Sequence, residues 1–282
     1  MPSSSKRRAT PPLDGVDSNL EHRQDAADNP PPQRSAKNAF QELMAPKQKP
    51  ALAVAKRPSS PRKVFKHRDN LGQYIHTPET NSRVVYYTDD WVVIKDAFPK
   101  SAVHLLLLPR HRHQYRAHPY DAFRDPEFLA SAKEELEKVK GIVASELRRQ
   151  FGKYSATEKA RIDAMNMDEP PEVLPPGRDW TIGLRTGIHA NPSMNHLHIH
   201  CLSPDLVSPC TNRRPHYNSH TTRFLVPLED FPKEVGDDSI RDEASKILHQ
   251  DLKCWRCGRN FGNKMARLKE HLEEELMEWA KE

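Results

Sequence analysis

The 282 residues are 36% hydrophobic and 29% charged and carry a net charge of +5, so polar a composition that the compact core is modest or part of the chain lies outside it. No run of about 18 apolar residues occurs, which excludes a membrane-spanning helix, and the opening MPSSSKRRATPP lacks the apolar centre of a secretory signal. A reducing compartment is expected, and Cys201, Cys210, Cys254 and Cys257 are not read as a disulfide framework.

Residues 1–64 are expected to be a disordered basic arm. Residues 1–66 hold thirteen Lys or Arg against six Asp or Glu, and ten of the 25 prolines fall before residue 63. Such a segment buries too little to offset the entropy of ordering. Its charge suits a polyanionic partner, through counterion release, or simply keeps a solvated tail soluble. Lys6-Arg7-Arg8 and the cluster from Lys56 to Lys63 are of the nuclear-import kind. Phe40, Leu43 and Met44 share one helical face, which either docks a repair-protein partner or is a chance pattern.

From residue 65 the texture changes. Arg83–Tyr87 and Trp91–Ile94 flank Thr88-Asp89-Asp90, a hairpin signal, and Ala102–Leu108 closed by Pro109 reads as a third, buried strand. Phe128, Leu129, Ala132, Leu136, Val139, Ile142, Val143 and Leu147 recur at helical spacing. Residues 150–179 are polar and proline-rich, which predicts a surface insertion. Strands are expected again at Trp180–Arg185 and His196–Leu202, and a helix around Ile240, Ala244, Ile247 and Leu248. Strands grouped around one long helix predict an α+β fold with a mainly antiparallel sheet over residues 65–235, followed by a helix and a small finger over 236–282.

In His196-Leu197-His198-Ile199-His200, a strand would put three imidazoles on one face and the aliphatics in the core. With ordinary values near 6.5, such rings can stay neutral, as a nitrogen nucleophile must. Alternating histidines also bind metals. The preceding turn from Gly187 to Asn195 favours phosphate instead, because it brings the Ser193 hydroxyl and backbone N–H groups, with no Asp or Glu nearby.

Cys254 and Cys257 are followed by thirteen residues, then His271, and Glu275 one helical turn later. Two thiolates from a turn and two ligands at i and i+4 of a helix can surround a tetrahedral zinc, and Phe261, Leu268 and Leu272 supply a small core. The alternative is a lone cysteine pair in a helical tail.

The histidine run completed by Cys201 and Leu202 resembles the signature of the histidine triad (HIT) family of nucleotide hydrolases and transferases. Gly187-Ile188-His189, Pro192-Ser193-Met194, the Lys95–Lys100 segment with His104, Ser208-Pro209-Cys210 and His216–Ser219 resemble its aprataxin branch, and the Cys-Cys-His-Glu finger resembles the fungal type. The resemblance implies that His198 is the nucleophile, attacking an adenylate to form an AMP–histidine that water hydrolyses. It implies that His196 and His200 orient that ring and contact phosphate, and that Ser193 and Met194 hold the nucleotide phosphate. Asp96 would bind ribose hydroxyls, with Lys100 in the same segment. His104 and His189 would meet the opposite phosphate or buttress the triad.

A finger and a basic arm beside such a site point to DNA as the leaving side. Arg213, Arg214 and His216 are candidates for its phosphates, as are Arg259, Lys264, Arg267 and Lys269 on the finger. Phe65 or Tyr74 would stack on a terminal base pair or belong to the core. The function expected is removal of AMP from 5′-adenylated DNA ends in strand-break repair in the nucleus, with zinc structural and no metal needed for chemistry. The alternatives are hydrolysis of dinucleoside polyphosphates or AMP-amides, and non-catalytic DNA-end binding.

Overall fold

A computed structural model describes residues 67–234 and 239–282. The basic arm, its clusters, the Phe40, Leu43 and Met44 face and Phe65 lie outside the described residues.

The β-branched and aromatic runs pair as the expected hairpin, β1 (Val84–Tyr87) and β2 (Trp91–Lys95). Thr88 closes the turn, its Oγ1 accepting the Trp91 N–H at 3.0 Å. With β3 (His104–Pro109), β4 (Arg185–His189), β5 (Ile199–Leu202) and β6 (Leu225–Val226) they form a six-stranded sheet in the order β1-β2-β3-β5-β4-β6, every neighbour antiparallel. The helices are α1 (Gly72–His76), α2 (Arg112–Tyr115), α3 (Pro119–Ala122), α4 (Pro126–Phe151), α5 (Ala156–Met165), α6 (Arg214–Thr221), α7 (Ser239–Asp242), α8 (Ala244–Leu248) and α9 (Met265–Lys281). A second small hairpin, β7 (Leu252–Lys253) and β8 (Asn260–Gly262), precedes α9. The fold is α+β, as the sequence predicts. No helix among the described residues is long and apolar enough to cross a membrane.

Alternation along the strands divides the core. Val93, Leu105, Leu107, Ile199 and Cys201 pack with the apolar line of α4, from Phe128 to Leu147. That helix begins where Asp125 accepts the N–H groups of Glu127 and Phe128 at 3.0 and 3.2 Å, with Pro126 at its first position. On the other face Val92, Ile94, Leu106 and Leu108 pack with Leu71, Tyr74 and Ile75 around α1 and with Tyr115. Leu202, at the end of β5, joins Leu206 and Tyr217 to the finger residues Leu252, Cys254, Leu268 and Leu272 in a third cluster. Burying each leucine side chain in these clusters contributes roughly 1.5–3 kcal/mol.

Four expectations need correction. The strand expected from Trp180 begins only at Arg185, because Gly183 turns with φ +81° and the Asp179 carboxylate accepts the Thr181 N–H. Trp180 is buried instead, edge-on to Trp279, with the Arg178 guanidinium over both rings. Regular pairing in the histidine segment begins at Ile199 rather than His196, since the Leu197 N–H is taken by the Tyr115 carbonyl of α2 at 2.9 Å. The segment 150–179 is not merely surface: α5 buries Glu158, which accepts Trp180 Nε1–H at 3.0 Å and pairs with Arg148. The helix expected around 240–248 is two short ones, α7 and α8.

Gly187 sits in β4 at φ +149°, where an added Cβ would lie 2.5 Å from the Val226 carbonyl oxygen. Gly187→Ala is therefore expected to lose about 2–3 kcal/mol of stability, read as a lowered urea midpoint with unchanged slope. An unaltered midpoint would contradict this account of the β4–β6 contact.

Candidate active site

β3, β4 and β5 carry His104, His189 and His200, and the segment entering β5 carries His196 and His198. All five are on the face opposite α4, because Leu105, Ile188, Leu197, Ile199 and Cys201 occupy the other. His189, His198 and His200 border a cavity of about 870 Å³ whose lining also includes Tyr74, Asp96, Lys100, Ser193, Met194 and His216. Leu71, Ile94 and Leu106 give it an apolar part.

The hydrogen bonds set the tautomers. His198 Nδ1 lies 2.8 Å from the His196 carbonyl, which can only accept, so the proton sits on Nδ1 and Nε2 keeps its lone pair. The Lys100 backbone N–H donates to His104 Nδ1 at 3.1 Å. His104 must then carry its proton on Nε2, which lies 2.9 Å from His200 Nδ1. His200 in turn carries its proton on Nε2, a buried donor with no partner among the described residues. The site thus offers a nitrogen lone pair at His198 and an N–H donor at His200, the pairing needed to attack a phosphorus and to hold its oxygens. Asp96, His104 and His200 come close enough to hold a cation, but His104 Nε2 and His200 Nδ1 are committed to each other.

The loop from Asn191 to Asn195 is clamped from outside. Arg68 Nε donates to the Ser193 carbonyl at 2.9 Å, and the Asn195 N–H donates to the Arg68 carbonyl at 2.9 Å. Asp69 accepts from Asn195 Nδ2 at 3.1 Å and pairs with Arg116 at 2.8 Å. Arg68 and Asp69 hold Ser193 and Met194 at the cavity, a role that sequence spacing over more than 120 residues does not reveal.

The remaining predicted residues separate. Asp96 accepts the Phe98 N–H and lies 3.4 Å from His104 Nδ1. His196 does not line the cavity: its ring packs on Tyr115, centroids 5.3 Å apart, and a Cβ on Gly72 would come within 3.2 Å of its Nε2. What His196 offers the site is its carbonyl. Tyr74 is buried in the core and also lines the cavity. His216 lines it and meets the Cys210 carbonyl at 3.1 Å, whereas Arg213 and Arg214 start α6 outside the lining. A sixth histidine, His220, was not among the predicted residues. It is buried beside His104, His189 and His200, with ring centroids 5.4, 4.7 and 5.0 Å away. Its spacing from His216, one turn along α6, was the available signal.

In the finger, Cys254 and Cys257 sit in the turn between β7 and β8, and His271 and Glu275 on one face of α9. One ligand atom from each lies within 4.8 Å of all the others. Tetrahedral zinc with bonds of about 2.0–2.3 Å needs ligand atoms roughly 3.3–3.8 Å apart. Cys257 Sγ to His271 Nε2 is 3.1 Å and His271 Nε2 to Glu275 Oε1 is 3.2 Å, a few tenths of an ångström inside that spacing, so the donor set fits the ion after small side-chain rotations. The second Glu275 oxygen accepts from Arg256 at 2.7 Å, which orients the carboxylate.

Burial dominates the electrostatics of the histidine cluster. It holds His104 and His196 down to about 4 and His189 to about 3. His198, His200 and His220 are lowered in the same way, His200 and His220 also by repulsion from neighbouring rings. The unfolded chain would protonate these rings near 6.5, so it binds more protons than the fold below that pH. Stability from the cluster is therefore complete above pH 7 and is lost as pH falls toward 4. Each ring contributes at most about 1.4 kcal/mol per pH unit in that window. Urea unfolding with zinc in excess should show a midpoint that drops steadily from pH 7 to pH 5; a flat profile would contradict neutral burial.

Comparison with known proteins agrees with this geometry. The HIT domain family matches residues 77–206, and the C2HE / C2H2 / C2HC zinc-binding finger family matches residues 221–278. An aprataxin-like protein of Schizosaccharomyces pombe is 36% identical over 212 residues, covering 75% of this chain and 82% of that protein. One from Saccharomyces cerevisiae is 37% identical, covering 73% and 94%. Among solved structures, the crystal structure of aprataxin ortholog Hnt3 in complex with DNA superposes with a TM-score of 0.59 at 32% identity, covering 75% of this chain and 96% of that one. The two family matches follow one another along one chain, and the protein belongs to the aprataxin-like HIT family with a C-terminal C2HE zinc finger.

Proposed function

We propose that this protein is a DNA-repair hydrolase that removes AMP from 5′-adenylated DNA ends. The observation that carries the chemistry is the hydrogen bond from His198 Nδ1 to the His196 carbonyl, which leaves Nε2 as the free lone pair at the cavity. In this reading His198 Nε2 attacks the phosphorus of the AMP moiety, forming an N–P bond as the P–O bond to the DNA 5′-phosphate breaks. The leaving phosphate takes the electron pair and needs no proton, since its second ionisation lies near neutrality. The His200 Nε2–H donates to the phosphoryl oxygens as charge builds on them. Water then cleaves the AMP–histidine, restoring the free imidazole. Asp96 would accept ribose hydroxyls, and the apolar part of the cavity would hold the base.

Support for DNA as the leaving side comes from α6. One face gives His216 and His220 to the cavity. The other grips the finger: Tyr217 Oη donates to the Lys253 carbonyl at 2.9 Å and accepts the Trp255 N–H at 3.0 Å. Asn218 Nδ2 donates to the carbonyls of Leu248 and Gln250. The finger is thereby fixed relative to the nucleophile, and Arg259, Lys264 and Arg267 line a concavity on it, suited to backbone phosphates. The relatives solved with DNA, one as "Hnt3 in complex with DNA and guanosine", agree with that choice of partner. Zinc held by Cys254, Cys257, His271 and Glu275 would organise the finger and take no part in bond breaking, and a role in DNA repair would have the protein act in the nucleus.

His198→Ala should lower AMP release from an adenylated nick by at least about 10³-fold while DNA affinity changes little. Cys257→Ala should do the reverse, weakening DNA binding and sparing turnover of a dinucleoside polyphosphate. Equal AMP release by His198→Ala, or preference for the dinucleotide over the nick in competition, would reject the reading.

A further inference from the structure

Zinc takes its ligands deprotonated, cysteine as thiolate, glutamate as carboxylate and histidine as the neutral ring. Cys254, Cys257 and Glu275 would then bring three negative charges against the two positive charges of the ion, leaving the site one unit negative. A Cys2His2 set would be neutral. The finger family that matches residues 221–278 includes both kinds, C2HE and C2H2. A carboxylate in the fourth position therefore adds a charge that the fold has to meet. The His271 and Glu275 side chains are only 12% and 13% exposed, so water meets little of it.

Arg256 stands inside the Cys254–Cys257 turn, and its Nη1 donates to Glu275 Oε2 at 2.7 Å. The other oxygen, Oε1, faces His271 Nε2 at 3.2 Å. The carboxylate is divided, one oxygen toward the ligand cluster and one on the guanidinium. Among the described residues, Arg256 is the one Lys or Arg that pairs with Glu275. Its Nη2 donates to Glu282 at 2.6 Å, and Glu282 pairs in turn with Arg178 at 3.3 Å. Charges thus alternate from Glu275 to the guanidinium that covers Trp180 and Trp279. Glu274 also comes near a ligand, 3.9 Å from His271 Nδ1, but it is 79% exposed and water screens it.

We propose that Arg256 is the charge partner that lets Glu275 serve as a zinc ligand. The finger's hold on zinc depends on a positive charge at position 256 because the fourth ligand is a carboxylate, and an imidazole in that place removes the dependence. This goes beyond the hydrolase reading and rests on the four side chains being a zinc site. Arginine suits the role in two ways: its charge is permanent, and its planar fork serves Glu275 and Glu282 together. Standing next to Cys257, it arrives with the turn that brings the thiolates. A purely structural Arg256, tying that turn to the end of α9 through Glu282, would behave differently, since its effect would not change with the ligand at 275.

The test is a double-mutant cycle on the full chain, with zinc affinity measured near neutral pH by competition with a chromophoric chelator. With Glu275 in place, Arg256→Ala should weaken zinc binding by about 10–100-fold, the range typical for an outer partner of a metal ligand. Arg256→Gln keeps an amide donor without the charge and should weaken it as much. Arg256→Lys keeps the charge and should stay within about threefold of the parent. In a chain already carrying Glu275→His, Arg256→Ala should change zinc affinity by no more than about twofold. Loss of the Glu282 contact is common to both arms and cancels in the cycle. Unchanged affinity in Arg256→Ala, an equal loss in both arms, or Arg256→Lys no better than Arg256→Gln would overturn the proposal, as would a parent chain that binds no zinc. Should Glu275→His itself fail to hold zinc, the comparison of Lys with Gln at position 256 decides alone. AMP release enters none of these outcomes, so failure of the hydrolase reading leaves them untouched.

Discussion

The hydrogen bond from His198 Nδ1 to the His196 carbonyl joins two residues of one short segment, and the rest of the site is arranged so that it can form. A regular strand would have spent the backbone of that segment on a neighbour. Here the Leu197 N–H goes to Tyr115, and ladder pairing starts only at Ile199. The His196 carbonyl is free to fix a tautomer because the chain enters the sheet late. Burial then keeps the ring neutral, so position, tautomer and charge state of His198 follow from backbone geometry and desolvation together.

The same logic extends outward through backbone donors. Lys100 fixes His104, His104 fixes His200, and the direction of every proton in the chain follows from one amide N–H. Arg68 and Asp69 brace the Ser193 loop from the far side. Helix α6 connects this machinery to the finger, one face turned to the imidazoles and the other gripping the Lys253–Trp255 segment. The Glu275 carboxylate is oriented by Arg256, which also pairs with Glu282 near the end of α9. Catalytic face and finger are thus parts of one packed body rather than neighbours on a tether.

Much of this is legible in the amino-acid sequence. Alternation places Leu197 and Ile199 in the core and the imidazoles opposite, and ligand spacing marks Cys254, Cys257, His271 and Glu275. What is not legible depends on contacts between distant segments. His196 fits the repeat, yet Tyr115 and Gly72 enclose its ring and leave only its carbonyl to the site. His220 belongs to no repeat and reaches the cluster only because α6 packs across β4 and β6. Trp180 reads as strand by propensity, but Gly183 breaks the run and Trp279 captures the ring. Arg213 and Arg214 follow the triad closely in sequence, but α6 starts with them outside the cavity.

The central claim is that His198 Nε2 bonds to phosphorus during turnover. Its most direct test is rapid acid-free quenching of the enzyme with an adenylated nick labelled in the AMP phosphate, followed by peptide mapping of the protein. The account predicts a transient label on the peptide containing His198, absent from His198→Ala and chased to free AMP by water. Label reaching AMP at full rate with none on the protein at any time would contradict it.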